Sequence, residues 1–153
     1  MAELSENKVL IAGGVEGRPL TLTSSTLILD LKEETFSEAE DLHKLRSKHS
    51  CALFNNRVYL AAKGEKHGET DIFEDGTWIP GPSFPKQIND HGGLVAAQNH
   101  LFYSDSENFY LLKNGIWEPI FEAQKLKLKG NYLPLTVLTM QSKSNSEKLC
   151  MFP

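Results

Sequence analysis

The run Asn55-Asn56-Arg57-Val58-Tyr59-Leu60-Ala61-Ala62, followed after a short gap by Asp75-Gly76-Thr77-Trp78, decides how this chain is read. The apolar and β-branched residues from Val58 onward favour an extended strand. Asn55-Asn56 is a tight turn, so the apolar run 50–54 before it is the antiparallel partner of 57–62. Asp75-Gly76 is a strong hairpin signal, because a type I′ turn needs positive φ at both central residues. It joins a third strand over 70–74 to a fourth over 77–79. Residues 50–79 therefore read as a meander of four short antiparallel strands.

The same pattern recurs on either side. Its strand copies are Asn7-Lys8-Val9-Leu10-Ile11-Ala12 and Asn99-His100-Leu101-Phe102-Tyr103-Ser104. Its closing aromatics are Phe36, Trp78 and Trp117, and markers at matched distances beyond them are His49, His91 and Gly130. A period of roughly 40–50 residues in four-strand units indicates stacked blades, not one irregular core. The third copy has strands over 93–97, 100–103, 108–112 and 116–118, with turns at Gln98-Asn99 and Asn114-Gly115. The first has strands over 9–12, 26–30 and 35–37, separated by a polar loop over 15–25. Residues 33–44 contain helix formers, but Thr35, Phe36 and Ser37 interrupt them and the repeat register favours a strand and a loop. The fold class is all-β.

Composition sets outer bounds. Hydrophobic residues are 40% and charged residues 24% of the 153, which is ordinary for a globular chain and argues against disorder. The net charge of −4 argues against nucleic acid as the main partner. Lys125, Lys127 and Lys129 read as the wet face of a strand. No apolar run approaches the ~20 residues of a membrane helix, and the acidic N-terminus lacks a signal-peptide pattern. Cys51 and Cys150 sit in apolar surroundings and read as buried thiols, which with the other features suggests the cytoplasm. The five histidines (43, 49, 67, 91 and 100) show no metal-binding spacing, and no cofactor is expected. No G-x-S-x-G elbow or P-loop supports an enzyme.

Over residues 7 to 130 the chain resembles the kelch-repeat β-propeller family. The residues that carry the resemblance are Arg46-Ser47-Lys48-His49-Ser50 before a first strand, Val58-Tyr59-Leu60 and Gly13-Gly14, with Trp78 and Trp117 on fourth strands. The di-glycine becomes Ala62-Lys63 and Asp105-Ser106 in the later copies, and Phe36 replaces the first tryptophan. The resemblance implies repeats over 1–49, 50–91 and 92–130, with a partial fourth over 131–153. It implies a protein–protein interaction module, and substrate recognition for a cullin-type ubiquitin ligase if a BTB or F-box segment is joined to it. A carbohydrate-active propeller enzyme or sugar-binding protein is the second reading, and a truncated paralogue without a fixed partner the third. The family's copper oxidase needs a tyrosine, histidine and thioether-forming cysteine set that these residues do not assemble.

In kelch proteins the binding end is built from loops between second and third strands and from the inter-blade connections. Here these are 15–25, 64–69 and 105–107, and 38–48, 80–90 and 119–129. Arg18, Lys66, His67, Lys86, Asn89 and Asp105 are the candidate contacts to a protein or peptide. The alignment starts the first copy at its second strand and reads 132–140 and 148–152 as the opening of a further copy. The chain is thus expected to begin and end inside a blade. The ring is then completed by a longer gene product or by a homodimer whose tail strand fills the first blade of its partner; otherwise the arc stands alone.

Overall fold

The computed structural model describes residues 1–63, 67–89, 92–105, 107–120, 136–140 and 148–152; for Lys63 and the last two segments only the backbone is described. Fourteen strands form within them, in three antiparallel sheets of four and one of two, and no helix occurs among the described residues. Sheet 1 is β1 (Ala2–Ser5), β2 (Lys8–Glu16), β3 (Thr21–Asp30) and β4 (Thr35–Glu38). Sheet 2 is β5 (Ser50–Phe54), β6 (Arg57–Lys63), β7 (Gly68–Glu74) and β8 (Thr77–Pro80). Sheet 3 is β9 (Gly93–Ala97), β10 (His100–Ser104), β11 (Phe109–Lys113) and β12 (Ile116–Pro119). The two-stranded sheet is β13 (Thr136–Met140) with β14 (Lys148–Phe152). Each four-stranded sheet is a meander with strands in chain order, a blade-like unit, and the sheets do not close into a ring among the described residues.

Turn chemistry fixes the register. Asn55 and Asn56, Asp75 and Gly76, Gln98 and Asn99, and Asn114 and Gly115 all have positive φ. That is the two-residue hairpin geometry whose twist matches the strands. The resulting pairings place Val9, Leu29 and Phe36 in one cross-strand row, Val58, Phe73 and Trp78 in the next sheet's row, and Leu101, Leu112 and Trp117 in the third. The repeat read from sequence is therefore also a repeat in space.

Sheet 1 differs from the expectation in two ways. Its first strand exists: Ala2 pairs with Leu10 and Glu3 with Val9, and the Ala2 side chain is buried. Six residues ahead of Asn7 are enough, because the strand has only four residues and needs a two-residue turn. A tail strand from a partner therefore has no vacancy to fill in this sheet. The supposed loop 15–25 is largely a hairpin, with β2 and β3 paired out to Glu16 and Thr21. Gly13-Gly14 does not end the strand. It makes a bulge between Ala12 and Gly14, with Gly13 at φ 59°. A Cβ on Gly13 would lie 2.8 Å from the Arg46 carbonyl oxygen, so glycine is needed both for the conformation and for the close approach.

Two apolar layers hold the sheets together. Leu10 and Ala12 of sheet 1 meet Val58, Leu60, Phe73 and Trp78 of sheet 2, with Leu42 from the connection. On the opposite face of sheet 2, Tyr59, Ala61 and Ile72 meet Leu101, Tyr103, Tyr110 and Trp117 of sheet 3. Phe84 and Ile88 of the second connection complete that layer, and the Phe84 ring stacks on Trp117 with centroids 4.6 Å apart. Both tryptophans are 2% exposed, and burial of each such side chain contributes ~1.5–3 kcal/mol or more. Phe36, in the same position on sheet 1, faces away from sheet 2 and is 62% exposed.

Each buried indole also carries an N–H that must be satisfied. Trp78 Nε1 donates to Thr26 Oγ1 on β3 at 3.0 Å. Trp117 Nε1 donates to Thr70 Oγ1 on β7 at 3.1 Å, and also to the Pro82 carbonyl at 3.1 Å. Thr26 and Thr70 are equivalent positions, because the residue after each sheet's last pairing returns to them: Ala39 N donates to Thr26 O and Gly81 N to Thr70 O. Thr26→Val leaves one indole N–H buried without an acceptor and is expected to cost about 1–3 kcal/mol. Thr70→Val is expected to cost less, because Pro82 still accepts. Urea unfolding of the two variants under one buffer checks the order, and equal losses contradict it.

Candidate functional site

Antiparallel pairing puts the ends of β2, β4, β6 and β8 at the same edge of their sheets as the starts of β3, β5, β7 and β9. The β2–β3 link, the end of β6 and start of β7, and the connections 39–49 and 81–89 therefore share one end of the stack. Backbone hydrogen bonds tie the connections there. Leu42 N donates to Ser24 O and Gly14 N to Arg46 O in the first. Phe84 N donates to Gly68 O and Gly68 N to Lys86 O in the second. Gly68 is required by space: a Cβ there would lie 2.6 Å from Ile88 Cγ1.

The first connection delivers Arg46, 6% exposed, to two carboxylates on β7. Its Nη2 lies 2.5 Å from Glu69 Oε2 and 3.1 Å from Asp71 Oδ2, and Nε donates to Asp71 Oδ2 at 3.2 Å. Lys44 Nζ donates to both oxygens of Glu69 at 3.0 Å. Burial alone would push the Glu69 carboxyl up; Arg46 and then Lys44 outweigh it and hold it below its ordinary value. Arg46 appeared in sequence only as part of the repeat motif, and this network was not foreseen. The available signal was Glu69 and Asp71 at alternate positions beside Phe73, two acids on the face of a strand that must also be buried.

Asp105 organises the corresponding edge of sheet 3. Its Oδ1 accepts from Glu107 N at 2.8 Å, Asn108 N at 2.7 Å and Asn108 Nδ2 at 3.0 Å. Its Oδ2 accepts from Asn89 N at 2.8 Å, Asn108 Nδ2 at 3.2 Å and Tyr103 Oη at 3.4 Å. Expected as a contact residue on a solvated loop, Asp105 is instead buried, with both oxygens engaged by its own chain. It pins the second connection to sheet 3.

The other candidates divide. Asn89 lies beside Asp105, with its N–H given to that carboxylate and its carbonyl accepting from Tyr103 Oη at 3.3 Å. His67 and Lys86 are exposed at the shared end, on the two segments that Gly68 joins. Arg18 is exposed at the tip of the β2–β3 hairpin, where its peptide bond to Pro19 is cis. Lys66, His91, Gly130 and the lysines 125, 127 and 129 lie outside the described residues. Cys51 is a free thiol that burial pushes up to about 11, which suppresses thiolate chemistry. No helix among the described residues is long and apolar enough to cross a membrane. No family model matches this chain, and no curated protein matches it.

Removing the arginine tests the charged network. Arg46→Met leaves Glu69 and Asp71 facing each other in a partly buried place and is expected to cost about 3 kcal/mol at neutral pH. A carboxyl held below its ordinary value stabilises the fold above the usual carboxylate range and loses that contribution as pH falls through its folded value. The penalty of the substitution therefore shrinks on acidification to about pH 4. Urea unfolding at both pH values measures this, and a pH-independent penalty refutes it.

Proposed function

We propose that this chain is a kelch-type interaction module, an arc of propeller blades that binds a protein or peptide partner with the loop end of its stacked sheets. The observation that carries the reading is the convergence at one end of the described connections, the β2–β3 link and the start of β7, with Arg18, His67 and Lys86 exposed there. Rigid sheets that hold variable loops at one end form a usual arrangement for recognition. The exposed candidates are basic or capable of carrying charge, so the partner surface contains acidic side chains. Asn89 and Asp105 shape the end from beneath and are not contact residues in this reading.

The test is an affinity capture from lysate with the folded chain as bait, read by mass spectrometry. Each captured protein is compared between the natural chain and an Arg18→Glu/His67→Ala/Lys86→Glu triple variant. A specific partner is expected to be lost at least about tenfold by the variant, which corresponds to ~1.4 kcal/mol. Variants at the opposite end, in the hairpin turns at Asp75 and Asn114, are expected to retain it. Retention by the triple variant together with loss at the opposite turns places recognition at the other end and overturns the proposal.

A further inference from the structure

We infer that the joint between sheets 1 and 2 is proton-sensitive, with His49 as the sensor: protonation of its imidazole loosens sheet 1 from sheet 2. His49 is the last residue before β5 and its ring is wedged against the β2 bulge. A Cβ on Gly13 would lie 3.2 Å from His49 Cε1. The ring makes a hydrogen bond with the Ala12 backbone, while Nδ1 is buried without a hydrogen-bond partner. A second ring proton would therefore create a cation whose new N–H has no acceptor, and that is costly in a desolvated place.

The charges around it oppose protonation. The connection contributes the Arg46 guanidinium, whose charge opposes a second one on the ring. β5 contributes the Cys51 thiol, which burial keeps uncharged. β2 offers Ala12, Gly13 and Gly14, none of them ionisable. The β7 carboxylates Glu69 and Asp71 are held by Arg46. Burial first pushes His49 below the ordinary histidine value of 6.5, and the Arg46 charge acts in the same direction; the Ala12 contact acts the other way and does not prevail.

The sign follows from linkage. The open joint exposes an ordinary histidine that binds its proton more readily than the closed one. The closed joint is therefore at full strength above about pH 6.5 and weakens as pH drops below that value toward the folded one.

Trp78 is a built-in reporter, since its indole crosses this joint to Thr26. In a Trp117→Phe background it is the only tryptophan, and its emission is expected to shift to the red between pH 7.5 and 5.5. Exchange of the Gly14 amide, bonded across the same joint to Arg46 O, is expected to rise up to about tenfold beyond its intrinsic pH dependence. Far-ultraviolet circular dichroism stays constant if the opening is local. His49→Phe removes both responses. If that variant does not fold, His49→Gln, polar and unable to take a proton in this range, carries the test. Responses that persist in a folded His49 variant, or that are absent in the natural chain, overturn the inference.

Discussion

A buried indole N–H must find an acceptor, and in this chain the acceptor lies on the neighbouring sheet. That requirement sets how the sheets sit on one another. Apolar packing alone tolerates sliding of one pleated face over another, since dispersion is not directional. The Trp78–Thr26 and Trp117–Thr70 bonds remove this freedom, because each can form at only one offset. The hairpin turns fix which face each tryptophan occupies, and the threonines fix what it meets there. Phe36 shows the complementary case, with the same ring position, no N–H and no opposing sheet among the described residues.

The two joints are built from unlike materials around this shared bond. Between sheets 1 and 2 the connection inserts Arg46 between Glu69 and Asp71. Between sheets 2 and 3 the matching places hold Ile88, Asn108 and Tyr110, all buried, with Phe84 stacked on Trp117. Burial, and the Asp105 charge after it, raise Tyr110 above the ordinary phenol value, so it remains a neutral filler. One repeat unit thus supports an ionic joint on one face of sheet 2 and an aromatic one on the other.

Much of the fold was legible because it depends on short-range chemistry. Asn55-Asn56, Asp75-Gly76 and Asn114-Gly115 announce their turns within two residues, and the alternation of Val58, Leu60 and Ala62 announces a strand. What escaped depends on long-range context. The strand Ala2–Ser5 is too short and too weakly patterned to stand out, and becomes recognisable only once β2 lies beside it. The extension of β2 and β3 escaped because Gly13-Gly14 reads as a stop, yet the bulge lets pairing resume beyond it. The burial of Arg46 and Asp105 has a common reason for being hard to read: a charged residue in a loop is usually solvated, and its burial depends on partners 23 and 25 residues away for Arg46, and on Asn89, 16 residues away, for Asp105.

The resumption of pairing beyond the bulge gives sheet 1 an arm. β2 continues from Gly13 to Glu16 past the body of the sheet, about 13 Å at ~3.3 Å per residue, and ends at the tip that carries Arg18. Its base, at the bulge, is the place where His49 and Arg46 touch it. The tip and the joint are thus the two ends of one paired ribbon, so the direction in which Arg18 is presented is set where the pair of glycines is held at the base.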